Sequence, residues 1–259
     1  MKIAVLLKGV PDTASVLKVG GDHRSYVIDD TKYIINPYDE YALEEAVKLK
    51  EEESGEVIVV SLGDESTKKV IRNALAVGAD RAVFIEKSDD DNLTGRGISK
   101  VLAAVMKTID PDIIFAGKQA VDDDSAQIPE RVAEILGMSH ASAVTRFEYK
   151  SAKVEIDREI EGGGYTLEMP LPALFTVEKG INTPRYPTLP NIMKAKRKEI
   201  KEMTIADLGL TNDELRPGVK VEAISLPRQK RLAKILDGNM ESQVKELVSI
   251  LREEKIVTL

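Results

Sequence analysis

The stretch Gly117-Lys118-Gln119-Ala120-Val121-Asp122-Asp123-Asp124-Ser125-Ala126-Gln127 follows the apolar run Ile113 to Ala116 and leads into a helix-period segment from Ala126 to Leu136. A loop between the carboxyl end of a strand and the amino end of a helix is where open α/β sheets take their ligands. Gly117 permits close approach of the backbone, and Ser125 or Asp124 stands where the next helix needs a cap. The free N–H groups of that helix suit a phosphate. Three consecutive aspartates oppose a phosphate if all face it, so at least two must point to solvent, to a lysine or to a capping position. Asn36-Pro37-Tyr38-Asp39 is a second helix start, with Asn36 as N-cap, Pro37 at the first helical position and Asp39 closing a capping box. Taken alone, both segments also read as ordinary structure, a capped helix and an acidic surface turn.

No reaction centre accompanies these pieces. There is no Walker loop and no G-x-G-x-x-G after a strand, and Gly95-Arg96-Gly97 fits neither spacing. No nucleophile elbow is present. The absence of cysteine removes a thiol nucleophile, Cys-ligated zinc, an iron–sulfur cluster and a disulfide scaffold together. The two histidines, His23 and His140, are far apart and give no multi-His metal site. A magnesium site at the aspartates lacks a second ligand cluster. The chain has the pieces of a binding site and no visible reaction centre.

The elements that must position these residues alternate in kind. Apolar runs at Ile3 to Leu7, Val57 to Val60, Ala82 to Ile85 and Ile113 to Ala116 predict buried strands. Helix-period segments lie between them, at Tyr38 to Lys50, around Val70 to Leu75, and from Ile98 to Thr108. That is the pattern of a mostly parallel sheet with helices on both faces, an α/β fold. Val154 to Ile160 and Tyr165 to Met169, separated by Gly162-Gly163-Gly164, predict a β-hairpin addition. Leu174 to Val177 predicts one more buried strand. From Pro184 the chain reads as a C-terminal extended arm ending in a helix with Val244, Leu247, Val248 and Leu251, an arm that needs a partner surface to order it. The expected division is 1–183 for the nucleotide-binding domain and 184–259 for the arm.

Composition narrows the partners. A net charge of −7 and 31% charged residues spread over 259 residues argue against general nucleic-acid binding, and 4% aromatics with no Trp argue against a base-stacking platform. The apolar run before Lys8 spans five residues, far short of a signal h-region or a membrane span. The expectation is a cytoplasmic chain, or a mitochondrial-matrix one in a eukaryote, with no membrane insertion.

Five stretches together resemble the beta subunit of electron transfer flavoproteins over nearly the whole chain. They are Asn36 to Asp39, Ala74 to Arg81, Gly117 to Asp122, Asp157 to Gly163, and Pro184-Arg185-Tyr186-Pro187-Thr188-Leu189-Pro190-Asn191-Ile192-Met193-Lys194-Ala195-Lys196. The resemblance implies a heterodimer with a larger alpha subunit that holds most of the redox-active FAD. The beta subunit supplies one wall of that flavin site and binds its own adenine nucleotide, a structural AMP or, in electron-bifurcating members, a second FAD. By motif the nucleotide site falls on Leu6, Lys8, Asn36, Tyr38, Asp39, Leu62, Gly63, Gly117, Gln119, Asp122, Asp123, Asp124, Ser125, Ala126 and Gln127, with Tyr38 approaching the alpha-bound flavin. The 184–196 segment resembles the family's recognition loop for flavin dehydrogenases such as acyl-CoA dehydrogenases. It places Leu189 as the anchor and Arg185, Tyr186, Lys194 and Arg197 around it. Glu159 falls where the family presents a carboxylate to the mobile flavin domain, and a quinone-reducing or other acceptor follows downstream.

Asp122 to Pro129 is a hybrid of the two nucleotide types. Asp123 replaces a glycine of the bifurcating type, whereas Ala126 matches it. The recognition loop favours AMP, with a second FAD as the alternative. An adenine-nucleotide hydrolase or ligase would need a Ser-Gly-Gly loop where Lys8-Gly9-Val10-Pro11 stands, and a redox-silent nucleotide sensor would need no flavoprotein partner.

Overall fold

In the first strand Ile3 and Val5 belong to one buried cluster while Ala4 and Leu6 belong to another. Successive strand side chains point to opposite faces, so a run that is apolar throughout must be covered on both. The computed structural model describes residues 1–24, 26–28, 32–87, 93–151, 153–226, 233–254 and 256. In chain order it runs β1 (Lys2–Leu6), β2 (Gly9–Pro11), β3 (Leu17–Val19), β4 (Tyr26–Ile28), β5 (Tyr33–Ile35), α1 (Pro37–Glu53), β6 (Glu56–Gly63), α2 (Thr67–Val77), β7 (Arg81–Glu86), α3 (Gly95–Ile109) and β8 (Ile113–Gly117). There follow α4 (Ile128–Leu136), β9 (Ser139–Lys150), β10 (Lys153–Ile160), β11 (Gly163–Pro170), β12 (Ala173–Val177), α5 (Leu189–Ala195), β13 (Ile200–Thr204), a 3-10 turn (Ile205–Leu208), α6 (Asn212–Leu215) and α7 (Met240–Glu253).

Nine strands form one sheet in the order β11-β10-β9-β12-β8-β1-β6-β7-β13. From β9 to β13 every neighbouring pair is parallel, and β10 and β11 extend the sheet as antiparallel strands. Helices α1 and α2 cover one face through Ala42, Leu43, Ala46, Val47, Val70, Ile71, Ala74 and Leu75. Helices α3 and α4 cover the other through Val101, Leu102, Val105, Met106, Val132 and Ala133. The chain starts at β1 in the middle, builds outward through β6 and β7, and returns with β8 on the other side of β1. That reversal opens a crevice beyond the carboxyl ends of β1 and β8.

The hairpin around the three glycines is present. Ile160 pairs with Gly163, which leaves Glu161 and Gly162 as a two-residue turn, and Gly162 takes φ 84°, a left-handed value that glycine adopts at no steric cost. Within this nine-stranded sheet two strands appear that the sequence pattern does not predict, and it does not predict the short pairs β2–β5 and β3–β4 either. In β9 the pairing with β12 slips between Ala141 and Val144, and Ala143 sits at φ 57°. This bulge moves the buried positions from Ala141 to Val144 and breaks the period of two by which a strand is read. β13 is an edge strand paired in parallel with β7 from Ile200↔Ala82 to Thr204↔Glu86, and its charged residues make it resemble an arm.

The described chain forms two compact units, Met1–Ala223 and Ile224–Leu259. The division expected at residue 184 differs because residues 184–208 are ordered by the chain's own elements. Ala195 joins the α1/α2 cluster, and β13 joins the sheet. In the second unit Asn239 caps α7 by accepting from the Ser242 N–H at 3.0 Å, and Met240, Val244 and Leu247 are exposed along the helix. Among the described residues no helix is long and apolar enough to cross a membrane.

Candidate functional site

Asp39, in the first turn of α1, ties together the two strand ends that frame the crevice. One carboxylate oxygen accepts from the Lys8 N–H at 2.8 Å and the other from the Gly117 N–H at 2.9 Å. Burial pushes its carboxyl up from the ordinary 3.8 to about 7, against these two N–H groups, which favour the ionised form. Gly117 has no space for a side chain, since a Cβ there would lie 2.5 Å from the Asp39 carboxylate and 2.5 Å from Tyr38 Cβ. Asn36 makes a second tie. Its amide donates to the Gln119 carbonyl at 2.9 Å, and its oxygen accepts from the Val121 N–H at 3.1 Å. The side-chain cap and capping box expected at Asn36 and Asp39 are therefore absent, because both side chains hold the 117–121 loop instead.

Lys8 spans the mouth of the crevice, with its ammonium 2.7 Å from Asp122 and 3.3 Å from Asp123. Burial works against its charge, but the two aspartates outweigh it and hold its pKa above the ordinary lysine value. Burial likewise opposes ionisation of Asp123, yet the Ser125 N–H and Lys8 leave its carboxyl below the ordinary range. Asp124 accepts from the Gln119 amide at 2.9 Å. Asp122 and Asp123 thus share Lys8 while Asp124 meets the Gln119 amide, in line with the expectation that at least two of the three turn to a lysine, to solvent or to a capping position. Asp124 and Ala126 both lie in the left-handed region, at φ 48° and 45°. Non-glycine residues there store roughly 1–3 kcal/mol each and cluster at ligand clamps.

These loops enclose a cavity of about 530 Å³. Of the expected nucleotide residues, Leu6, Lys8, Asn36, Asp39, Leu62, Gly63, Gly117, Gln119, Asp123, Ser125, Ala126 and Gln127 line it. Tyr38, Asp122 and Asp124 do not. Tyr38 packs against Gly117 and under the Lys118 ammonium, 5.8 Å from its ring centre, and Lys118 is paired with Glu178. The inner wall is apolar, built by Leu6, Val60, Leu62, Ile98, Leu102 and Ala116. The sequence reading missed Gly9, Tyr33, Thr67, Lys87, Gly95 and Pro129, which also line the cavity. Gly95 opens α3 at the crevice, a position that strand–loop–helix order reveals although no fingerprint does. Helix α4 starts at Ile128, and neither Ser125 nor Asp124 caps it; Gln127 holds the cap position without a side-chain bond. Pro129 falls in its first turn, where a missing N–H costs no helical hydrogen bond. The amino ends of α3 and α4 thus face the cavity without side-chain caps.

The family model described as "Electron transfer flavoprotein domain" matches residues 25–208. The chain is 40% identical over 255 residues to the electron transfer flavoprotein subunit beta of Bacillus subtilis, covering 98% of each chain. Its identity to the human subunit beta is 36% over 256 residues, covering 98% of this chain and 97% of that one. The mitochondrial subunit beta of Arabidopsis thaliana is 37% identical over 257 residues, with 98% of both covered. The chain belongs to the electron transfer flavoprotein beta family. Its role is therefore that of an electron-transfer subunit.

The residues expected to meet other proteins occupy two places in the first unit. Leu189 opens α5 with 79% of its surface exposed, and Tyr186 and Met193 are exposed beside it. Thr188 caps this short helix through Asn191. Lys194 and Arg197 lie exposed at its far end. Arg185, in contrast, turns inward onto α1, where it pairs with Glu44 and Glu51. Glu159 is exposed at the tip of the β10–β11 hairpin, opposite Gly164.

Proposed function

We propose that the chain is the beta subunit of a heterodimeric electron transfer flavoprotein, binds AMP in the cavity at the sheet's switch point, and forms one wall of the alpha subunit's FAD site. FAD supplies the redox chemistry, accepting electrons from flavin dehydrogenases for delivery to a downstream acceptor. This chain's residues bind, orient and dock. Leu6, Val60, Leu62, Ile98 and Leu102 offer an apolar wall to the adenine, while Lys8 and the uncapped amino end of α4 offer charge and N–H donors to one phosphate. Tyr38 and Glu159 face the alpha-bound flavin and its mobile domain, and Leu189 anchors the dehydrogenase.

The place of Asp123 carries AMP over a second FAD. Its side chain stands at the cavity lining beside Lys8, where the added phosphate, ribityl chain and isoalloxazine of a second FAD need room that a single-phosphate nucleotide does not. Co-expression with the alpha subunit tests the wider reading. A yellow one-to-one heterodimer is the expected product, and a colourless monomer would reject it.

A further inference from the structure

The 184–198 segment leaves the sheet and carries the most exposed apolar side chains of the first unit, yet it is fixed at both ends. At its start all three nitrogens of the Arg185 guanidinium are engaged on α1. Nε lies 2.9 Å and Nη2 2.9 Å from the Glu44 carboxylate, while Nη1 and Nη2 reach Glu51 at 2.6 and 3.0 Å. The Arg185 backbone N–H also donates to Glu44 at 3.2 Å. Glu44 is 4% exposed, and Arg185 compensates the burial of its carboxylate. At the other end Arg72 donates to the carbonyls of Ala195 and Lys198 at 2.8 and 2.7 Å, and Lys198 donates to the Leu75 and Ala79 carbonyls at the end of α2. Between the two clamps Leu189 is 79% exposed.

We propose that Arg185 is a positioning residue rather than a partner contact: with Glu44 and Glu51 it fixes the segment on α1 so that Leu189 is presented in one place to the partner. This rests on the reading of Leu189 as the dehydrogenase anchor. A guanidinium already forked onto two carboxylates has few N–H directions left for a partner. An anchor on a segment ordered in advance avoids the entropic cost of ordering at docking.

The test uses the intact heterodimer and three variants, with Leu189→Ala as reference. Glu51→Gln loosens half the clamp at a half-exposed carboxylate. Arg185→Lys keeps the charge and removes the fork. The pair Arg185→Gln with Glu44→Gln removes the clamp without stranding a buried charge. Each is expected to raise the dehydrogenase's KM for the carrier three- to tenfold with kcat unchanged, and to add nothing in the Leu189→Ala background. Each should also speed amide exchange across residues 186–194 at least tenfold, which Leu189→Ala alone should not do. If Glu51→Gln left KM unchanged or lowered it while Leu189→Ala raised it, Arg185 would be a partner contact and the inference would fall. Unchanged exchange in all three variants would overturn it whatever the dehydrogenase shows. A Leu189→Ala variant with unaltered kinetics would instead remove the anchor reading, and the exchange data would still report whether the clamp exists.

Discussion

Asp39→Asn is the most informative single change at the nucleotide site. The native carboxylate accepts from the Lys8 and Gly117 N–H groups, one on each oxygen. An asparagine has one acceptor oxygen, and its NH2 must face the second N–H. One buried donor is then left without a partner, at a cost of about 1–3 kcal/mol. If the two loops must close for AMP to bind, that cost appears as roughly 5- to 150-fold weaker affinity. Acidity adds a second signature. The native carboxyl keeps its proton up to about 7, whereas in the unfolded chain it ionises near 3.8. Between those values the native state holds more protons, so the stability owed to this group is complete below about pH 4 and is lost as pH rises through about 7. Roughly three pKa units set a ceiling of about 4 kcal/mol on that loss. Asparagine has no such slope, so its penalty relative to the native protein should be largest near pH 5 and shrink toward pH 8. Urea unfolding and AMP titration of the nucleotide-stripped heterodimer at both pH values read these effects. An Asp39→Asn protein with native midpoint and AMP affinity at both pH values would refute the reasoning.

Leu189→Ala should weaken docking to a dehydrogenase by about one to two decades, since full burial of a leucine is worth roughly 1.5–3 kcal/mol; carrier-dependent dehydrogenase kinetics, with flavin and nucleotide content checked, measure it. Gly117→Ala should lower the melting temperature and the AMP content together, because its Cβ would meet the α1 backbone at 2.7 Å as well as Asp39 and overpacking of this kind costs about 1–3 kcal/mol. Lys8→Met should weaken AMP binding most at low salt. Its removal leaves Asp122 and Asp123 without their cation, and partly exposed charges are screened as ionic strength rises. Equal affinity across a salt series would separate Lys8 from the phosphate.

The central sheet was legible because β1, β6, β7 and β8 are buried on both faces and so read as unbroken apolar runs. The bulge at Ala143 hid β9, and the solvent-facing side of the edge hid β13 among charged residues. At the site, the types and spacing of Asn36, Asp39 and Gly117 put them at strand and helix ends, the resemblance added Lys8, and the fold brings all four to one crevice. Their partners did not follow from local pattern. Asn36 and Asp39 look like helix caps within their own tetrapeptide, and only the return of β8 beside β1 brings Gly117 to Asp39 and Gln119 to Asn36. Arg185 beside an exposed leucine suggests a surface contact, and Glu44 and Glu51, 141 and 134 residues earlier, turn it inward.

The claim that the switch-point cavity holds a single-phosphate nucleotide in a redox-silent role is tested most directly by what the purified heterodimer releases on acid extraction. One FAD and one AMP per heterodimer is the predicted result. Two FAD and no AMP would contradict it, showing that Asp123 leaves room for a pyrophosphate and a second flavin.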